Sequence, residues 1–277
     1  MFAPGLALGA GISWGVGDFL GGVKSRTLPA LVVMAASQPF GLAALAIAVA
    51  VRGRGPDGPE VAWAALAAAL GTSGLVAFYR GMATGAISVV VPIAATGSAI
   101  PVIWGLIQGD SVSFLQELGF IATMGGSVMT TVERGSERRR LAAGAGWGML
   151  AMLGFGAYFI PLHAAARHDW LWPTFLFRVV SVSLALSAAL WRSERLTDAR
   201  AHLGALVAIG LLDTGGNVLF AAASSSHGLL SVVSVLASLY PVVTVLLAQL
   251  VLRERIHAVQ NVGVVATLAG VLLISAG

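Results

Sequence analysis

From Thr214 to Leu252 the chain runs 39 residues without an Asp, Glu, Lys or Arg, and uncharged runs of this kind follow one another from end to end. A helix needs about 20 mostly apolar residues to cross a bilayer core. A stretch of 39 is too long for one crossing, and Ser224-Ser225-Ser226-His227-Gly228 supplies the break. Over the 277 residues only 10% are charged and 57% are apolar, against about 25% charge in a soluble domain. Such a chain cannot cover a water-facing surface, so it reads as an all-α integral membrane protein. A span with a short loop takes roughly 25 to 30 residues, which leaves room for roughly nine to eleven spans and none for a soluble catalytic or nucleic-acid-binding appendage.

Charged residues, Pro and Gly clusters bound the runs at about 3–22, 28–51, 60–84, 87–108, 111–132, 142–165, 169–191, 201–223, 229–252 and 256–276. Ten transmembrane helices are therefore expected. The opening MFAPGLALGAG has no basic stretch of the kind a cleaved signal carries, and reads as the start of the first span. Eleven basic residues fall in the odd-numbered loops: Lys24, Arg26, Arg134, Arg138, Arg139, Arg140, Arg192, Arg195, Arg200, Arg253 and Arg255. The even-numbered loops hold Arg52, Arg54 and Arg167. The positive-inside rule then places the odd loops in the cytoplasm and both termini outside.

The chain also repeats itself. TSGLVAFYRGMATGAISVV (Thr72 to Val90) aligns with TGGNVLFAAASSSHGLLSVV (Thr214 to Val233) with one extra residue in the second copy. GISWGVGDF (Gly11 to Phe19) aligns with MLGFGAYF (Met152 to Phe159), and LQELGFIATMGG (Leu115 to Gly126) with VQNVGVVATLAG (Val259 to Gly270). The offset stays between 140 and 144, which divides the chain into 1–137 and 141–277 near Arg138-Arg139-Arg140. Five spans per copy is an odd number, so the second copy must enter the membrane in the opposite sense. Two inverted five-helix repeats are the usual plan of secondary transporters, with the substrate site near mid-membrane between the halves.

Charged groups inside spans are expensive in hydrocarbon and face a bundle interior or a cavity. Asp18, Arg80, Arg178 and Asp213 qualify. Arg178 and Asp213 sit near the middle of consecutive spans and can meet at one depth, either as a lock between helices or as a site in which Arg178 takes a substrate carboxylate with Asp213 as counter-ion or proton carrier. Gln38 is the repeat mate of Arg178. Asn217 follows Asp213 by four residues and shares its helix face, with Gly210 and Thr214 nearby. Asp18 and Arg80 lie near span ends, where Asp18 would be hydrated and Arg80 would reach the headgroups. Trp14, its mate Phe155, Tyr158 and Tyr240 lie deeper than an aromatic belt requires and are candidates for pocket walls; Tyr79 and Trp104 also interrupt the aliphatic helices. His163 and His227 have no neighbour at metal-ligand spacing. Pro39, Pro92, Pro101, Pro161 and Pro241 fall inside spans and permit kinks.

Cysteine is absent, which removes disulfides, thiolate metal sites and Cys nucleophiles. No phosphate loop, Walker lysine, HExxH pair or nucleophile elbow occurs, so ATP-driven transport by this chain, a cofactor and a metal are not expected. The basic balance, fifteen Arg and one Lys against twelve carboxylates, reports orientation in the bilayer and not affinity for nucleic acid.

Three stretches resemble the EamA-like domains of the drug/metabolite transporter superfamily: WGVGDFLGG with the basic pair after it; GAISVVVP and GLLSVVSV; and LYPVVTVLLAQLVLRERIHAVQNVGVVATLAGVLLI. The resemblance extends over essentially the whole chain, with Pro241, Glu254, Gln260 and Gly263 of the second copy where that pattern expects them. The first copy departs from it, with Asp110 in place of the usual Glu and Pro101 a turn late. The resemblance implies a ten-helix exporter or importer of small metabolites and favours an Arg in mid-helix at position 178.

The leading expectation is thus a non-enzymatic secondary transporter of the inner membrane, an exporter of a small organic metabolite such as an amino acid, with the bilayer and the substrate as its partners. The substrate residues would be Arg178, Asp213, Asn217, Trp14, Gln38, Tyr158 and Tyr240, and Asp213 or Asp18 would carry a coupling proton. A membrane-embedded enzyme acting on lipid-linked substrates and a non-transporting helical scaffold are the alternatives.

Overall fold

The computed structural model describes residues 2–55, 60–85, 87–109, 112–130, 138–167, 169–226, 230–237, 239–252 and 258–276. Every regular element among them is helical: α1 (Phe2–Lys24), α2 (Ala30–Arg52), α3 (Glu60–Thr84), α4 (Ile87–Ala95), α5 (Ala99–Ile107), α6 (Phe114–Thr130), α7 (Arg138–Ala166), α8 (Leu171–Trp191), α9 (Leu203–Ser225), α10 (Leu230–Ala237), α11 (Tyr240–Leu252) and α12 (Ala258–Ala276), with 3-10 turns at Thr96–Ser98 and Leu196–His202. Seven helical stretches among the described residues are long and apolar enough to cross a membrane, and Ile93–Ile107 is a shorter apolar one.

Local chemistry explains the ends. α2 stops at Gly53, whose φ of 64° is the left-handed conformation that closes a helix, and its N–H donates back to Val49 O. α6 begins at Phe114 and not at 111 as expected, because Ser113 and Gln116 form a reciprocal cap: Gln116 N donates to Ser113 Oγ (3.2 Å) and Ser113 N to Gln116 Oε1 (2.9 Å). Ahead of α8, Asp169 Oδ1 accepts from Leu171 N at 2.9 Å, placing a carboxylate at the positive end of the helix dipole.

The fourth and ninth spans, expected as continuous helices over 87–108 and 229–252, are each broken in the middle. Pro101 and Pro241 are the cause. Neither has an N–H to offer the carbonyl four residues back, at Gly97 and Ala237. Between its Ser-Val-Val and its proline the fourth span has three more residues than the ninth, and the three-residue 3-10 turn Thr96–Ser98 lies in that interval.

Each break is crossed by a helix that presents glycine to it. A methyl group on Gly11 of α1 would stand 2.8 Å from Ala237 O, and one on Gly156 of α7 would overlap Gly97 O. The two helices can approach these carbonyls only because no side chain intervenes.

Helices pack in matching sets. α1 lies against α9, α10 and α11; α7 lies against α3, α4 and α5; α2 faces α8 and α9, while α8 faces α2 and α3; α6 and α12 pack chiefly on each other. Polar contacts mark the two ends of the bundle. At one end Lys24 Nζ is 3.5 Å from His202 Nδ1. At the other, Arg52 Nη1 meets Asp169 Oδ1 at 2.5 Å and Trp172 Nε1 donates to Arg54 O. α1 thus ends at the first face and α7 at the second, so the two run in opposite senses.

Candidate functional site

Seven helices, α1, α2, α3, α7, α8, α9 and α11, enclose a partly open cavity with about 500 Å³ of empty space. Helical periodicity aims its residues: Trp14 and Asp18, Phe155 and Tyr158, and Asp213 and Asn217 are spaced by three or four positions and so share a face of their helix. Trp14, Asp18, Gln38, Tyr158, Asp213, Asn217 and Tyr240, all singled out in the sequence, line this one space.

Arg178 stands behind the wall and not on it. It is fully buried, and its Nη1 donates to Asp213 Oδ2 at 2.6 Å, while the Asp213 side chain is 16% exposed. Nε and Nη2 of Arg178 have no hydrogen-bond partner among the described residues. The contact is single and not the two-pronged fork a guanidinium can make. Arg178 therefore meets the cavity through Asp213, whose carboxylate it neutralises and holds. Removing one member of such a pair typically costs about 3 to 5 kcal/mol, because the other is left as an isolated buried charge.

Asp213 is fixed through its backbone as well. Its carbonyl accepts from Trp14 Nε1 and from Asn217 Nδ2, each at 3.2 Å. Gly210 and Thr214, expected on the same polar stripe, turn to α2 instead: a methyl on Gly210 would overlap Ser37 O, and one on Gly41 would overlap Thr214 Oγ1. The stripe is therefore split, with two residues on the cavity and two in a close helix contact.

A second polar run crosses three helices. Thr72 Oγ1 donates to Ser181 Oγ (2.9 Å), which donates to Gln38 Oε1 (2.6 Å). Thr72 and Ser181 were not among the expected site residues, nor were Gly71, Leu75, Phe159 and Phe177, which complete the wall. Thr72 did carry a signal, since it opens the repeated segment and is the mate of Thr214. Ser181 carried none: a serine in an apolar helix reads as one bonded to its own backbone.

The aromatic wall is continuous. Trp14 lies edge-on to Tyr158 with centroids 6.3 Å apart, Tyr158 is 6.5 Å from Phe155, and Phe155 is 6.2 Å from Tyr240. Tyr240 Oη is buried and has no hydrogen-bond partner among the described residues.

Other expectations fare differently. Asp18 is only 7% exposed and lines the cavity, between Trp14 one turn before it and Lys24 at the end of α1. The Arg80 guanidinium lies 5.4 Å from the Trp147 ring centroid, a cation-π contact between α3 and α7. Tyr79 is buried over Gly21, and Trp104 points outward at 42% exposure. His163 is half-buried on α7, and His227 lies outside the described residues. Among the described residues no group of three or more His, Asp or Glu could hold a metal ion.

A crystal structure of another protein is similar over 99% of this chain and 98% of its own, with a TM-score of 0.73 and 14% sequence identity; at that identity the likeness is one of fold. The chain matches no curated protein in sequence. Residues 142–276 match the EamA-like transporter family. With its buried charges gathered at a cavity among membrane-length helices, the chain is a multi-pass membrane protein that carries an EamA-like transporter domain at residues 142–276.

Proposed function

We propose that this chain is a secondary transporter that exports a small organic metabolite, amino acids being the first class to test, across the inner membrane by alternating access. The observation that carries the reading is the convergence of Asp18, Gln38, Asp213 and Asn217 with an aromatic wall on one partly open cavity. In hydrocarbon, polar groups gathered in this way serve a pathway or a pocket far more often than they serve packing.

The same reading takes the chain as ten spans in two inverted repeats, 1–137 and 141–277. Two features support it. α1 and α7, the first helices of the two halves, run in opposite senses, as the ion pair of Arg52 with Asp169 and the contact of Lys24 with His202 require. The packing of α1 on α9 and on the broken α10–α11 span is also repeated by α7 on α3 and on the broken α4–α5 span. Exchange of these two sets would open the cavity first to one side and then to the other. Trp14, Gln38, Asn217, Tyr158 and Tyr240 would hold the substrate, Asp213 would be presented to it by Arg178, and Asp213 or Asp18 would take up a coupling proton.

Uptake of a panel of radiolabelled amino acids into proteoliposomes, with and without a pH gradient, tests this. Accumulation above protein-free vesicles is expected for at least one; flux equal to protein-free vesicles for the whole panel counts against an amino-acid carrier.

A further inference from the structure

The charges on the cavity wall do not balance. Among the described residues, the charged side chains that line it are Asp18 and Asp213, both carboxylates. The guanidinium of Arg178 lies behind Asp213 and is taken up by Asp213 Oδ2. Arg80 is held over Trp147. Asp18, 93% withdrawn from solvent, makes no hydrogen bond or ion pair among the described residues. An ionised carboxylate so withdrawn from solvent is costly and is stabilised by a cation or relieved by a proton.

The rest of the wall meets the same need. Trp14 stands one helical turn from Asp18 on α1, and Phe155, Tyr158 and Tyr240 continue the aromatic surface from it. Aromatic faces carry the negative side of a quadrupole and attract cations, most strongly where water is excluded. The hydroxyl of Tyr240 is an unused acceptor as well as a donor. A substrate bearing only a carboxylate would instead meet two carboxylates, with the guanidinium screened from it by one of them.

We infer that the substrate carries a protonated amine, which Asp18 receives between the aromatic side chains. This rests on the transport reading of the cavity and narrows it to one chemical class, organic amines, amino acids included through their ammonium group. Asp18 would be the specificity-determining contact, and Asp213, presented to the cavity by Arg178 with its charge already neutralised, a secondary one.

The test uses the full-length protein in nanodiscs and three probes of one skeleton: phenethylamine, a cation; phenylalanine, a zwitterion; and 3-phenylpropionate, an anion. Binding is read from Trp fluorescence, and transport of the same labelled compounds from proteoliposomes. Phenethylamine should bind about tenfold or more tightly than 3-phenylpropionate, a preference of the size one desolvated charge contact supplies. Asp18→Asn should remove that preference at an unchanged unfolding temperature, and Asp18→Glu should keep it. A preference for 3-phenylpropionate, a preference for phenethylamine that survives Asp18→Asn, or no binding of any probe would overturn the amine site. Transport of 3-phenylpropionate alone would overturn it while leaving the transport reading intact. Phenethylamine that binds through Asp18 yet never crosses would leave the site standing and remove the transport reading.

Discussion

The indole of Trp14 occupies the space in which a side chain on Gly216 would begin, and Phe155, the repeat mate of Trp14, stands in the same relation to Gly74. One aromatic from each half thus reaches the cavity across a glycine of the facing helix. Gly216→Ala should displace Trp14, break its hydrogen bond to Asp213 O, and destabilise the protein by about 1 to 3 kcal/mol, the usual result of overfilling a packed contact. Thermal unfolding of Gly216→Ala and of Gly216→Ala with Trp14→Ala checks this: the double variant should recover part of the loss.

The ion pair of Arg178 and Asp213 separates a structural role from a functional one. Arg178→Ala should lower folded yield, since an unpaired carboxylate remains at a cost of about 3 to 5 kcal/mol. Arg178→Lys should keep a remnant of transport, because the observed contact uses one N–H and not a planar fork. Arg178→Met with Asp213→Leu should restore stability without restoring transport. If transport returns in the double variant, the pair is only a lock.

Orientation can be read by labelling, because the chain has no cysteine of its own. Arg54→Cys lies at the α2–α8 end of the bundle, next to Trp172, and should react with an impermeant maleimide in intact cells. Arg195→Cys lies between α8 and α9, on the odd-numbered loop side, and should react only after lysis. The reverse pattern would overturn the positive-inside assignment.

Coupling by protons should run through Asp18 before Asp213, since Asp213 is paired with Arg178 and Asp18 has no ion-pair partner among the described residues. The titratable groups on the same wall are Tyr158 on α7, Tyr240 on α11 and Asp213 itself, with Arg178 behind it. Collapsing the pH gradient should slow uptake severalfold in the wild type, and folded Asp213→Asn should retain that response. Loss of the response in Asp213→Asn would move the proton to Asp213, and its absence in the wild type would leave facilitated diffusion or exchange.

Much of the architecture was legible because a bilayer enforces it: spans must be apolar for about 20 residues, and Asp18, Arg178 and Asp213 stand out against that background. Depth was legible for Arg178 and Asp213, which do meet. Facing was not. That Arg178 lies behind Asp213, that Thr214 turns to Gly41, and that Ser181 joins Thr72 to Gln38 depend on how neighbouring helices rotate, and a nearly uniform apolar periodicity carries little of that information. The breaks in the fourth and ninth spans were half legible: Pro101 and Pro241 announced kinks, whereas nothing in the sequence announced that α7 and α1 would bring glycines against Gly97 and Ala237.

If the cavity is the route of the substrate, a side chain that fills it stops transport. Gly71 lies on the wall, and a Cβ there would stand 3.2 to 3.4 Å from the Phe177 and Tyr158 rings, so a longer side chain must push those rings aside or fill the space that they border. Flux of the transported amino acid or amine is measured in proteoliposomes carrying the wild type or Gly71→Leu at matched folded protein. Flux is expected in the wild type and its loss in folded Gly71→Leu, which overfills the contact and should also unfold at a lower temperature; equal flux through the folded variant would mean that the substrate takes another route.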